Sequence, residues 1–319
     1  MTSKLALGVD IGGTKISITV GDASAKILAE RVLPTRTGVQ TKRAIQEMIQ
    51  GIKTLAQDPR FRGKIRGIGF GIPGPIDDAG GTIPFSPNLK GWKGIPLKRL
   101  LKKEINLPVC MANDANAAAL GEKVYGEGRR LSDFIYMTVS TGIGGGIVTG
   151  GKLLEGASFV AGEVGHMSIV AEGELCGCGR KGCLEAYGSG TAIARYAEKS
   201  LSRTEKNAIL KAFPGEKLDA KTLGIAAKLG NPASLRIYER AGFYLGLGIA
   251  NLLNILNPQS VILGGGVWKS SPSQFWKTMM ASCEKHAWPE AFNTVQIVPS
   301  KLGGRVGDLG ALALVFEHL

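Results

Sequence analysis

Cysteine and histidine are scarce in this 319-residue chain, with five of the first and three of the second. So few cysteines, in an odd number, exclude a complete disulfide framework and fit a compartment where thiols stay reduced. Acids are under-represented beside bases, 26 against 39, for a formal net charge of +13. Such a surface can draw nucleic acid, anionic membrane or phosphorylated ligands. The bases are spread out, however. Their densest group, LKRLLKKEI at 97–105, reads as an amphipathic helix with Leu97, Leu100, Leu101 and Ile105 inward and its lysines in solvent, not as a nucleic-acid patch. Long apolar runs are missing too. Lys4 is followed by five apolar residues before Asp10, too short for a signal core. AGFYLGLGIANLLNIL is interrupted by Asn251 and Asn254 and reads as a buried helix ending ahead of Asn257-Pro258, not as a membrane span. These absences predict a cytoplasmic protein without membrane or nucleic-acid partners.

Glycine is abundant, at 46 residues. It is not periodic, which excludes collagen, and it clusters between strand-like segments, where the backbone turns tightly or approaches a ligand. The length suits about two domains. Residues 4–33 read as three strands around a glycine turn, 41–57 as an amphipathic helix, and 65–76 as a buried strand ending in a Gly-Pro turn. Residues 133–154 repeat the order strand, glycine turn, strand, and Ile-Gly-Gly occurs at both 11–13 and 143–145. This weak repeat predicts two similar lobes, each opening with a hairpin whose turn faces a shared cleft. A third glycine cluster, VILGGGVW at 261–268, follows a strand, and a last helix over about 307–319 is expected to pack back onto the first lobe.

DIGGTK at 10–15 and STGIGGG at 140–146 each read as a tight hairpin or as a phosphate cradle. Taken together, with Thr14 and Thr141 as hydroxyl donors, the cradle is the better reading. Two familiar fingerprints fail. GFGIPG at 69–74 is followed by Pro75 and no helix start, so it is not a dinucleotide site. GIVTGGKL at 146–153 has Leu153 where a P-loop needs Ser or Thr. VCMANDANAAALGE at 109–122 carries a strand into a helix, with Asn113 or Asp114 as N-cap. Capping accounts for one polar residue, but less well for a polar cluster at the carboxyl end of a strand, where α/β proteins place their chemistry. An Asp there, stabilised by the helix dipole, could take a hydroxyl proton late in a phosphoryl transfer.

CGCGRKGCLE at 176–185 concentrates three of the five cysteines, and His166 lies just upstream in AGEVGHMSI. His166, Cys176, Cys178 and Cys183 form H-x9-C-x-C-x4-C, a donor set that closes a structural zinc shell. Cys110 and Cys283 read as core cysteines. Glu163 and Glu185 flank the cluster, either as solvated acids or as directional partners for the hydroxyls of a polyol.

DIGGTK, GIPGPID, NDANAAALGE, STGIGGGIV, GEVGHMSI and CGCGRKGCLEAYGSGTAIAR together resemble the ROK family of sugar kinases and sugar-responsive repressors, over essentially the whole chain and most in its bacterial glucokinase branch. The resemblance implies an α/β, two-lobed actin/hexokinase-like (ribonuclease H-like) ATPase fold with a cleft between lobes. Residues 1–112 with the helix at about 307–319 would form one lobe, and 113–306 the other, with the zinc loop. The implied reaction is ATP-dependent phosphorylation of a hexose 6-hydroxyl. Glucose is favoured, with N-acetylglucosamine, N-acetylmannosamine, mannose or fructose as alternatives. Asp114 would be the general base. Gly74, Asn88, Asn113, Asp114, Glu163, His166 and Glu185 would line the sugar site, and His166 would also bind zinc with Cys176, Cys178 and Cys183. Asp10, Gly12, Gly13, Thr14 and Lys15 would sit by the transferring phosphate and its Mg²⁺. Thr141 and Gly142 would lie near the other ATP phosphates, and Gly265 and Gly266 against the adenosine. The implied cofactors are structural Zn²⁺ and Mg²⁺ with ATP, the partners are hexose and ATP, and the assembly is a homo-oligomer, dimer or tetramer. A family repressor would carry a helix-turn-helix domain in front, for which a DIGGTK at residue 10 leaves no room. Retention of both Asp114 and STGIGGG speaks against a non-catalytic sugar binder.

Overall fold

The computed structural model describes residues 5–77, 79–83 and 89–319. The chain divides into two compact units, one of residues 1–132, 146–162 and 300–319, the other of 133–145 and 163–299.

The first unit opens with an antiparallel meander, β1 (Leu5–Ile11), β2 (Lys15–Asp22) and β3 (Ile27–Pro34). Helix α1 (Thr41–Gln57) follows and buries Ala44, Ile45, Met48, Ile52 and Leu55, the stripe its 3.6-residue spacing predicts. Next come β4 (Ile65–Ile72), α2 (Leu97–Glu104), β5 (Val109–Asn113) and α3 (Asp114–Tyr125). The sheet order is β3-β2-β1-β4-β5, with β4 parallel to both β1 and β5. Leu97 and Leu101 of α2 are buried while Lys102 and Lys103 face solvent, as the sequence predicts. Strands β1 and β4 are buried almost along their whole length, as central parallel strands covered on both faces should be. The register pairs Asp10 with Gly71 and Gly71 with Ala112. Asp10, Gly71 and Asn113 therefore come to the same end of three adjacent parallel strands.

The second unit begins with β6 (Phe134–Val139) and the first residues of β7 (Ile143–Thr149), whose later part belongs with the first unit along with the short β8 (Lys152–Leu153). Irregular chain through the cysteine loop leads to a single helical turn, α4 (Glu185–Gly188), then α5 (Gly190–Ser200), α6 (Arg203–Ala212) and α7 (Ala220–Lys228). Helix α8 (Pro232–Leu256) is the 25-residue buried helix expected from its apolar run, and it ends on Asn257 in the left-handed conformation. No helix among the described residues is long and apolar enough to cross a membrane. The unit closes with β9 (Ser260–Gly264), α9 (Gly266–Ser270), α10 (Ser273–His286), α11 (Pro289–Thr294) and β10 (Gln296–Pro299). Strand β6 neighbours β7 on one side and is parallel to β9 on the other, and β9 is parallel to β10. This repeats the relation of β1 to β2, β4 and β5, so the Ile-Gly-Gly repeat marks a repeated strand plan.

The chain returns to the first unit with α12 (Val306–His318). It packs close on β4 and α3, because a Cβ at Gly69 would overlap the Ala311 carbonyl and one at Gly310 would overlap the Ala117 carbonyl. This close approach keeps α3 with the first unit, whereas the boundary expected at residue 112 would assign α3 to the second. Cys110 and Cys283 are buried, in β5 and α10.

Candidate active site and metal cluster

In the first unit, the residues singled out from DIGGTK and NDAN gather at the carboxyl ends of β1, β4 and β5. Asp10 is the last residue but one of β1, and Gly13, Thr14 and Lys15 are exposed where the chain turns into β2. That turn is closed by Gly12 N–H donating to Lys15 O at 2.9 Å and pinned by Thr35 Oγ1 donating to Gly12 O at 2.7 Å. Asn113 is the N-cap of α3, its Oδ1 accepting from Ala115 N–H and Asn116 N–H at 2.9 and 3.2 Å. Its Nδ2 donates to Gly74 O at 3.1 Å, which ties the cap to the turn after β4. With both lone pairs and one amide hydrogen committed, what Asn113 can offer a ligand is its second amide hydrogen. Asp114 follows as the first helical residue and is half-buried, its Oδ1 accepting from Ala115 N–H at 2.9 Å. Gly74 holds φ at 103°, a conformation only glycine adopts readily. Asn88 lies outside the described residues.

A third carboxylate joins the two expected ones. Burial pushes Asp10 up to about 7, and the neighbouring charges of Asp308 and Asp114 add to the rise while Lys15 opposes it. Asp308 belongs to the first turn of α12, and a Cβ at Gly307 would overlap the Asp10 carboxylate. The last helix thus presents its amino end to Asp10. Sequence reasoning did not single out Gly307 or Asp308, and an acid in the first turn of a helix was the only signal for either.

In the second unit, His166 Nδ1 lies 3.8 Å from Cys176 Sγ, and the Cys178 and Cys183 sulfurs are 3.7 Å apart. The four donor atoms all lie within 4.8 Å of one another. Zinc–sulfur bonds of about 2.3 Å in a tetrahedron separate donors by about 3.7 Å, so this donor set fits a structural zinc. Burial pushes the Cys176 thiol up to about 12 and also raises Cys183, so a bound cation is what would hold these sulfurs as thiolates. Glycines 177 and 179 have open space where a side chain would go, and Gly179 has φ of 87°, which lets so short a loop curl. The other face of the imidazole is turned away from the sulfurs, with His166 Nε2 3.9 Å from Glu163 Oε2. Glu185 lies on the cysteine side, its Oε1 3.5 Å from Cys176 Sγ and its Oε2 accepting from Ile143 N–H at 2.8 Å.

The second glycine turn packs on that same glutamate. A Cβ at Gly142 would overlap Glu185 Oε2, while Thr141 is exposed. The turn is held by Ser140 N–H donating to Gly142 O at 2.9 Å and by Gly190 N–H, from the start of α5, donating to Ser140 O at 2.7 Å. Gly265 has φ of 101°, and a Cβ there would strike the Val139 carbonyl. Gly266 lies near Ser140 Oγ. The structure therefore brings Thr141, Gly142, Gly265 and Gly266 together around the end of β6, next to Glu185.

The chain is similar to known proteins along nearly its whole length. A family model described as "ROK family" matches residues 6–318. The glucokinase of Streptomyces coelicolor is 35% identical over 98% of each chain. The crystal structure of a ROK family glucokinase from Streptomyces griseus, in complex with glucose and AMPPNP, is 33% identical, superposes with a TM-score of 0.81, and matches 98% of this chain and 99% of that one. The xylose repressor of Bacillus subtilis is 34% identical over 98% of this chain and 77% of its own length.

The Asp10 shift has a consequence for stability. A carboxyl that titrates near 7 when folded, against an ordinary value of 3.8, binds a proton in the folded state over a range where the unfolded chain has lost it. Its contribution is fully present below pH 4 and is lost as pH rises through about 7. Denaturant titration of Asp10→Asn beside the wild type, in metal-free buffer, should show the variant gaining relative stability between pH 4 and 8, by as much as about 4 kcal/mol. The same stability difference at both pH values would contradict the placement of Asp10.

Proposed function

Since the chain belongs to the ROK family, we propose that it is a hexokinase moving the γ-phosphoryl group of ATP to the 6-hydroxyl of a hexose, with glucose the preferred substrate. The observation that carries this reading is the acid cluster of the first unit. The charges of Asp308 and Asp114 raise the cost of ionising Asp10, and Asp10 and Asp308 are both largely withdrawn from solvent. A module that only binds sugar gains nothing from this expense, whereas phosphoryl transfer needs a carboxylate for the hydroxyl proton and another to help hold Mg²⁺.

Asp114 is the general base. Its carboxylate sits at the amino end of α3, where the helix dipole favours the charged form. A weak base suffices, because most of the bond to the leaving oxygen is broken before the proton must go. The exposed turn at Gly12, Gly13 and Thr14 offers backbone N–H groups and a hydroxyl to the transferring phosphoryl group, with Lys15 beside it and Asp10 holding the Mg²⁺ that arrives with ATP through water. Asn113 gives its second amide hydrogen to a sugar hydroxyl, and Gly74 lies at the wall. In the second unit Glu163 and Glu185 accept from sugar hydroxyls, and His166 donates from Nε2. Thr141 and Gly142 serve the remaining phosphates, and Gly265 and Gly266 the adenosine.

Zinc on His166 Nδ1 and the three cysteine sulfurs would fill all four positions and so supply shape rather than reactivity. A nitrogen bound to metal carries no proton, which leaves the hydrogen on Nε2, where it can be donated to a sugar.

A coupled ADP assay over a panel of hexoses tests the activity. ATP turnover that depends on glucose is expected, and hexose binding without turnover would favour a regulator, as the likeness to a xylose repressor would allow. Asp114→Asn should retain hexose affinity by calorimetry while kcat falls roughly 10²–10⁴-fold. Turnover like that of the wild type would remove Asp114 from its role.

Elemental analysis should find about one zinc per chain. Cys178→Ala should lose the metal and raise KM for hexose strongly, with KM for ATP little changed. Full activity of metal-free wild type under chelator would contradict the zinc assignment.

A further inference from the structure

Two segments of the second unit must keep a fixed separation if the proposed hexose site is to work: the cysteine loop, which carries Cys176, and the α4 turn, which begins with Glu185. The packing of the loop rests on Cys176 and Cys183, buried with Ala186 and Tyr187, while most of the rest is open to solvent. Leu175 is 59% exposed and Cys178 is exposed. Within the loop, Cys176 N–H donates to Arg180 O at 2.8 Å and Gly182 N–H to Glu174 O at 2.9 Å, bonds that shape the loop without placing it. The α4 turn has the opposite need. A single helical turn leaves its last carbonyls without helical partners. Gly190 N–H, four residues beyond Ala186, is already engaged by Ser140 O.

Arg195 on α5 meets both needs at once. One terminal nitrogen of its guanidinium donates to Leu175 O at 2.7 Å, the other to Ala186 O at 3.0 Å. Leu175 directly precedes Cys176, and Ala186 directly follows Glu185. A planar fork with fixed spacing between its nitrogens joins the two backbones, which a single flexible ammonium cannot do. The surroundings hold Arg195 in turn. Arg240 stacks on Tyr196 at 3.9 Å and on Tyr187 and Tyr244 at 5.0 Å each. The Tyr187 hydroxyl accepts from Glu174 N–H at 2.7 Å, and Lys199 pairs with Glu174 at 3.1 Å. Glu174, Ala186, Arg195, Tyr196, Lys199 and Arg240 pack with no room for a water between them.

We infer that Arg195 is a positioning residue for hexose recognition, setting the distance between the metal-binding loop and Glu185 without touching substrate. The inference rests on the reading of the cysteine cluster and Glu185 as parts of a hexose site. Cys176 Sγ and Glu185 Oε1 are 3.5 Å apart, and a metal-bound thiolate would have no proton to donate to the carboxylate, so their spacing rests on ties elsewhere, the two Arg195 bonds among them. Partners that orient ligands from outside the metal shell are typically worth 10- to 100-fold in metal affinity.

The test uses the full chain with Arg195→Ala and Arg195→Lys, measuring zinc release to a chromogenic chelator alongside KM for glucose, KM for ATP and kcat. Arg195→Ala should release zinc faster and raise KM for glucose, each by about 10- to 100-fold. KM for ATP and kcat at saturating glucose should move far less. Arg195→Lys, which keeps one donor, should fall between, and it carries the test if the alanine variant does not fold. Wild-type zinc release and glucose KM in either soluble variant overturns the inference, as does an equal loss in both KM values and kcat, the mark of general damage. A wild-type protein that contains no zinc overturns the metal reading and this inference together. A wild type with zinc and an unaffected variant overturns this inference alone.

Discussion

Four donor atoms, from His166, Cys176, Cys178 and Cys183, lie within 4.8 Å of one another and close a loop in which the one buried side chain between Glu174 and Gly182 is itself a donor, Cys176. In the segment from Glu174 to Gly182 only Cys176 and Gly182 are buried, and Gly177 and Gly179 have open space around them. Its order comes from Cys176, Cys178 and Cys183 closing on His166, and from the backbone ties at its base. The polar chemistry of the second unit hangs on that closure. His166 shows its second nitrogen to Glu163, Glu185 accepts from Ile143 N–H beside Cys176, and Gly142 is small because Glu185 lies against it. A metal bound here would stand in for part of a hydrophobic core, beside the side chains proposed to hold the hexose.

The first unit solves a different problem. It must keep carboxylates close together near the ends of parallel strands, although Asp308 and Asp114 oppose the ionisation of Asp10 and both Asp10 and Asp308 are largely withdrawn from solvent. The cost is met by tight packing elsewhere. Helix α12 lies directly on β4 and α3 through Gly69 and Gly310, and its amino-terminal turn faces Asp10 through Gly307. An exposed glycine turn beside the acids supplies donors without adding side chains that would fill the space. Strain of this kind, concentrated where strands end, is characteristic of sites selected for chemistry rather than for stability.

Much of this was legible in the sequence. Alternating and continuous apolar runs mark β1, β4 and α1, and the H-x9-C-x-C-x4-C spacing foretold a cluster that the fold does bring together. Asn113 and Asp114 were both candidates for the cap, and the structure chooses Asn113 because its amide can also reach Gly74 O. What stayed hidden has a common cause. Arg195 bonds to backbone carbonyls, which every residue has, so no pattern of side chains announces its partners. Asp308 meets Asp10 from the far end of the chain, a proximity that no local period encodes. The assignment of α3 to the first unit depends on backbone contact between Gly310 and Ala117, which reads in sequence only as small residues in two helices.

In the proposed site one imidazole is shared, Nδ1 on the cysteine side and Nε2 beside Glu163 for the sugar. Nitrogen-15 spectra of the ring nitrogens test it most directly, because the chain has only three histidines. For His166 the account predicts an unprotonated, metal-bound Nδ1 and a protonated Nε2, with the Nε2 proton resonance moving when glucose is added and not when ATP is added alone. A His166 ring whose Nδ1 carries the proton, or whose Nε2 resonance ignores glucose, would contradict it.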